Sequence, residues 1–176
     1  MPLMTLYHGT DIESAKEICN GSGLDLSRCN DKTDFGKGFY TTDDFERAAK
    51  WAKRKAAVRI SKPVVITVLF DIESANDIIE HFSDDLRWGR FIINNRNGLN
   101  YIKNVSYKDN NLDARYHITY GRVADIDVVD VAESLKENGL MLNSVDEILN
   151  IEYPQQIVFH TSESLLFIKK MSYRLV

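Results

Sequence analysis

The run Val64–Phe70, introduced by Pro63, is the clearest strand in the chain. What surrounds it constrains the fold class. Strand and helix signals are interspersed without the strand–helix–strand rhythm of a doubly wound sheet, which predicts an α+β fold. Leu3–Tyr7 reads as a first strand, and Thr10 with Glu13 forms a capping-box signature for a helix carrying Ile12, Ala15, Ile18 and Cys19 on one face. Gly21 and Gly23 end that helix. Phe39–Thr42 is aromatic and β-branched, hence strand, and Asp43 with Glu46 opens a second helix whose stripe is Phe45, Ala48, Ala49, Ala52 and Ala56. Further on, Asp84–Asn95 reads as helix, with Leu86, Ile92 and Ile93 toward the core, and Tyr116–Tyr120 as strand. Val128–Asn138 and Val145–Asn150 read as helices, Gln156–Thr161 as strand, Ser162 and Ser164 as a short helical turn, and Lys169–Leu175 as a closing strand.

The chain has 176 residues and no repeat, low-complexity tract or linker, so a single domain spanning 1–176 is expected. A hydrophobic fraction of 44%, a charged fraction of 27% and a net charge of -4 suit an ordinary globular protein, with no basic footprint for nucleic acid or membrane. Cys19 and Cys29 lack metal or disulfide spacing; Cys19 reads as core and Cys29 as a free thiol in a polar stretch. The start of the chain lacks a basic, then apolar leader, and no window approaches the roughly twenty apolar residues of a membrane span, so a cytoplasmic protein with no membrane partner is expected.

Common nucleotide signatures are absent: Gly36-Lys37-Gly38 is too short for a dinucleotide fingerprint, and there is no phosphate loop, nucleophile elbow or HExxH. Three pieces stand out instead. Tyr7-His8-Gly9-Thr10 sits where a strand meets a helix start; the glycine permits close approach to the backbone and the histidine offers a donor to a hydroxyl. Phe35–Thr42 places Gly36 and Gly38 before a strand and Tyr40 within it, leading to the helix that holds Trp51. At 100° per residue Trp51 lies about 120° from the centre of the alanine stripe, off the core face, where it could pair with Tyr40 around a flat ring or pack under a loop. The third piece, Tyr153–Thr161, opens an apolar strand with an amide, Gln156, able to bond a sugar hydroxyl or simply to face solvent.

Together these pieces resemble the ADP-ribosyltransferase superfamily, on the branch of poly(ADP-ribose) polymerases and diphtheria-type toxins. The likeness lies in His8-Gly9-Thr10, in Gly36-Lys37-Gly38-Phe39-Tyr40, in Trp51 eleven residues after Tyr40, and in Gln156 opening a late strand. The segments 35–52, 88–96, 121–125 and 156–161 also resemble an uncharacterised bacterial single-domain family with a His-Tyr-Gln triad. The resemblance implies two packed, twisted antiparallel sheets with a cleft that takes NAD as substrate, without metal. It implies that His8 holds the adenosine ribose, that the Gly9 backbone bonds the nicotinamide carboxamide, and that Tyr40 and Trp51 stack on nicotinamide. Gln156 would hold a hydroxyl of the nicotinamide ribose. Thr10 and Gly38 would complete the NAD-binding set around the catalytic trio His8, Tyr40 and Gln156.

Two residues depart from the polymerase pattern. Gln156 stands where polymerases carry Glu, and a neutral amide supplies no negative charge to a developing cation. Ala48, eight positions after Tyr40, replaces a hydroxyl residue that bonds the carboxamide. Transfer of a single ADP-ribose to an unknown macromolecular acceptor, protein or nucleic acid, is therefore expected rather than chain elongation. NAD hydrolysis and a catalytically silent NAD- or ADP-ribose-binding module are the alternatives. Relatives of this kind include toxins of bacterial conflict systems, which would imply a neutralising antitoxin partner. Gln155 competes with Gln156 for the third position, because neighbouring strand residues face opposite ways. Asp125 and Arg96 are candidates for the cleft or for acceptor binding, or for a structural ion pair or turn.

Overall fold

The segment after Pro63 becomes the best-paired strand of the molecule. The computed structural model describes residues 3–82, 85–97, 110–124 and 154–176. In it β3 (Pro63–Phe70) lies between β1 (Met4–Asp11) and β7 (Ile168–Leu175), antiparallel to both. Pairing with β1 runs unbroken from Met4↔Phe70 to Asp11↔Pro63. Val64, Val65, Ile66, Val68 and Phe70 are buried, as expected for a strand covered on both faces.

The remaining strands are β2 (Phe39–Thr42), β4 (Ile79–Phe82), β5 (Ile118–Arg122) and β6 (Gln155–Phe159). Seven strands form one hydrogen-bonded sheet in the order β4-β5-β6-β2-β1-β3-β7, so the architecture is α+β. The sequence shows no strand signal at β4, which pairs parallel to β5, in contrast to an all-antiparallel arrangement. A single registered pair, Tyr7↔Thr42, joins β1 to β2. The half β4-β5-β6-β2 and the half β1-β3-β7 are each well laddered, and they meet at this narrow joint.

Helices cover both faces. On one face α1 (Ile12–Asn20) lays Ala15, Ile12, Ile18 and Cys19 on a core of Leu6, Phe39, Val64, Ile66, Val68, Phe70, Ile157 and Phe159. On the other, α2 (Phe45–Arg59) packs Ala48, Ala49 and Ala52 against Val65 and Tyr7, and α4 (Asp85–Asn97) joins Trp88, Phe91 and Ile92 to Phe35, Phe82 and Val158. Short turns α3 (Ile72–Ala75) and α5 (Ser162–Leu165) close the edges. The alanine stripe is buried as its periodicity requires, and Ile92 and Ile93 are core.

Both predicted caps move by one residue. Asp11, not Thr10, caps α1 by accepting from the Ser14 amide, and Thr10 stays in β1 opposite Val64. Asp44, not Asp43, caps α2 by accepting from the Arg47 amide, while Asp43 accepts from the Gln155 amide. At α1 strand pairing runs further than the local pattern suggests and pushes the helix start along, whereas β2 ends at Thr42 as expected and Asp43 is engaged instead by the Gln155 amide. The helices predicted at 128–138 and 145–150 lie outside the described residues. Among the described residues no helix is long and apolar enough to cross a membrane.

Candidate functional site

The three strands β6, β2 and β1 are consecutive in the sheet and carry Gln156, Tyr40 and His8 respectively. Tyr40 is registered with Val158, and Gln156 lies two residues along the same strand, so Tyr40 and Gln156 are diagonal neighbours on one face. His8 alternates with Tyr7 onto the opposite face, where its ring lies 4.5 Å from that of Phe39. It meets Tyr40 at the narrow joint: its Nδ1 lies 2.6 Å from the Tyr40 carbonyl oxygen. A side chain here bridges two strands whose main chains have stopped pairing.

That contact sets the chemistry of the ring. A carbonyl only accepts, so Nδ1 carries the proton and donates it. Burial, reinforced by the charge of Lys55, lowers the pKa of His8 to about 4, so the ring is neutral at pH 7. The donor offered by the sequence is thus spent inside the protein, and Nε2 is left as an acceptor for a hydroxyl.

Tyr40 is tied by its hydroxyl rather than free to act through it. The hydroxyl accepts from the Phe35 amide at 2.7 Å and lies 2.8 Å from both the Thr33 hydroxyl and the Gly36 carbonyl. Burial pushes its pKa upward, so it stays protonated. The loop it anchors is held from other sides too. Arg96 pairs with Asp34 through Nε at 2.7 Å, Asn95 donates to the Asp34 carbonyl at 3.2 Å, and Phe35 is fully buried against Phe82 and Phe91. Arg96 is therefore half of a structural ion pair; Asp125 lies outside the described residues.

The glycines serve close packing. A Cβ on Gly9 would sit 2.0 Å from the Ala48 carbonyl oxygen and 2.7 Å from the Ala52 nitrogen, so the space beside Gly9 belongs to α2. The Ala48 side chain is itself buried. Gly36 adopts φ 83°, a left-handed conformation that suits glycine. A Cβ on Gly38 would come within 2.6 Å of Val158 and 2.8 Å of the His160 Nδ1. Thr10 is fully buried, and among the described residues its hydroxyl has no hydrogen-bond partner.

Gln156 is buried, and its Nε2 donates to the Arg122 carbonyl at 3.1 Å. The same carbonyl accepts from the Trp88 indole at 3.0 Å. With its nitrogen committed, the amide presents Oε1, a second neutral acceptor. Gln155, half-buried at the strand start, turns the other way. Trp51 is 56% exposed on α2 and has Arg54 over its ring at 5.6 Å; no ring contact joins it to Tyr40. Its position off the alanine stripe agrees with the helical geometry.

His160 is the site residue that sequence reasoning did not single out. Its Nδ1 donates to the Lys37 carbonyl at 2.7 Å and its Nε2 accepts from the Thr119 hydroxyl at 2.8 Å, clamping the Gly36-Lys37-Gly38 segment to β5 and β6. Burial lowers its pKa to about 4. A histidine closing an otherwise apolar strand run was the available signal. Among the described residues no cluster of three or more His, Cys, Asp or Glu side chains is placed to hold a metal ion.

A family model described as protein of unknown function (DUF3990) matches residues 4–170, from the start of β1 into β7. The chain belongs to the DUF3990 family. No curated protein and no solved structure matches it. In this DUF3990 chain the site presents neutral acceptors, His8 Nε2 and Gln156 Oε1, carried by strands on either side of β2. Each suits a hydroxyl donor.

Proposed function

We propose that this DUF3990 chain is a mono-ADP-ribosyltransferase that takes NAD as substrate, cleaves the nicotinamide–ribose bond and passes ADP-ribose to a macromolecular acceptor. The observation that carries the reading is His8 at the joint of β1 and β2, neutral, with Nδ1 donated to Tyr40 and Nε2 open to a ribose hydroxyl. In this reading the two sheet halves correspond to the two sheets of an ADP-ribosyltransferase-like fold, and NAD lies at their joint. His8 receives the adenosine ribose, Gln156 Oε1 accepts from a hydroxyl of the nicotinamide ribose, and Tyr40, held by its loop, offers a ring face to nicotinamide with Trp51 from α2. Gly38 and the Gly9–Thr10 segment shape the cleft, Gly9 by seating α2 and Thr10 with an unpartnered hydroxyl.

Bond cleavage develops positive charge on the ribose, and a site that orients sugar and ring while excluding water favours transfer over hydrolysis. Gln156 fixes geometry without adding negative charge, which fits single transfer and also favours a second reading, a slow NAD glycohydrolase or a silent NAD- or ADP-ribose-binding module. As a toxin of a conflict system it would have an antitoxin partner and act in the cytoplasm. The test is incubation with NAD labelled in the adenosine half, together with cell extract. Label in the protein or nucleic-acid fraction with release of nicotinamide supports transfer. Release without label transfer indicates hydrolysis, and binding without release indicates the silent module. Failure to bind NAD at all overturns the reading.

A further inference from the structure

Helix α2 follows β2 and seats its alanine stripe over β1 and β3, leaving a flank outside that contact. At 100° per residue, Lys55 lies about 75° and Trp51 about 115° from the centre of the stripe, both on that flank. Arg59 fixes the end of the helix against the end of β1, with its Nη1 2.8 Å from the Asp11 carboxylate. Lys55 is therefore held one turn before this anchor. It is half-buried, and among the described residues its ammonium has no hydrogen bond or ion pair. The neighbouring acid is already spent: Asp11 accepts from the Ser14 amide and hydroxyl, each at 2.9 Å, as well as from Arg59. The charge of Lys55 is felt at His8, at Asp11 and at Cys29, so its ammonium lies near the end of β1. Burial, then the charge of Arg59, lowers its own pKa. Two cations thus share one carboxylate, and a half-buried cation with only a shared counter-ion is costly. The arrangement is one anion short.

We propose that Lys55 is the anion subsite of the cleft, and that the group it takes is the diphosphate that links the two nucleosides of NAD. This rests on the dinucleotide reading above and assigns it a charge contact. His8 Nε2 accepts from the adenosine ribose, and the diphosphate is the next group along the same molecule. A lysine suits this role as a compact, flexible point charge that follows the phosphates as the ligand settles.

Wild type, Lys55→Met and Lys55→Arg are titrated calorimetrically with ADP-ribose, inorganic pyrophosphate and nicotinamide. Lys55→Met should lose about tenfold in affinity for ADP-ribose and pyrophosphate, the scale of one charge-assisted hydrogen bond, while Lys55→Arg retains most of it. Nicotinamide, which has no phosphate, should bind all three alike. The thermal midpoint of Lys55→Met should hold or rise, because an unpaired charge is removed; a residue with a merely structural role would lower it. Equal ADP-ribose affinity in wild type and Lys55→Met overturns the subsite and leaves the dinucleotide reading standing. Lys55-dependent binding of pyrophosphate without binding of ADP-ribose upholds the anion site and overturns the dinucleotide. Binding of neither overturns both.

Discussion

His8 and His160 carry the same message at the scale of single residues: a buried imidazole whose Nδ1 is donated to a carbonyl is neutral and directional. Both have folded pKa values lowered to about 4. A histidine depressed in the folded state contributes stability that is fully present above its unfolded pKa and is lost as pH falls toward the folded one. Stability should therefore decline between about pH 6.5 and 4, by roughly 3 kcal/mol for each ring. Denaturation curves across that range check this, and His160→Gln should flatten the decline. NAD affinity, in contrast, should be level from pH 6 to 8, since His8 does not titrate there; a step near 6.5 would contradict the neutral ring. Gln156 makes the second residue-scale prediction. Gln156→Ala should lower turnover far more than it raises KM, whereas Gln155→Ala should change neither greatly. Gln156→Glu sets a carboxylate against the Arg122 carbonyl, so it should cost about 1–3 kcal/mol of stability in urea denaturation, whatever charge it adds to the site. A variant as stable as wild type would show that the Arg122 contact does not hold this side chain.

At the scale of elements, α2 is the piece that converts sequence into site. Its seat is Gly9, and Gly9→Ala would drive a methyl into the Ala48 carbonyl. A loss of about 3 kcal/mol is expected, with a lower denaturation midpoint and unchanged cooperativity; a loss under 1 kcal/mol would mean that α2 shifts freely. Trp51, on the exposed flank, should behave in the opposite way. Trp51→Ala should change stability by no more than roughly 0.5 kcal/mol. It should weaken NAD binding about tenfold, the scale of one stacking contact. Unfolding with intact affinity would instead make Trp51 a packing residue. The loop from Thr33 to Gly38 is the other element that matters, and its fixing is collective: Tyr40, Arg96, Asn95 and His160 each hold a different atom of it. None of those four partners is near it in sequence except Tyr40, which is why only the tyrosine was legible beforehand.

For the whole molecule, the sheet order makes the joint between β1 and β2 the weak line. Amides of β1 that point toward β3 should be among the slowest to exchange with deuterium, and those that point toward β2 much faster, with NAD slowing the second set. Uniform protection along both edges of β1 would remove the joint from the argument. The sequence by itself determined what depends on spacing along the chain. The alanine stripe of α2, the apolar run of β3, the exposed placing of Trp51 and the α+β class all follow from periodicities that state which side of an element is buried. It also placed Tyr40 and Gln156 on strands and His8 just past the end of one. Tertiary structure alone decided what depends on a distant partner. The short strand Ile79–Phe82 exists because β5 pairs with it, Thr10 is strand and Asp11 the cap because β3 extends the ladder to Pro63, and the space a Gly9 side chain would take is filled by α2. His8 became an acceptor through a carbonyl 32 residues away, because a hydrogen bond sets the tautomer and no local pattern encodes where that carbonyl will be.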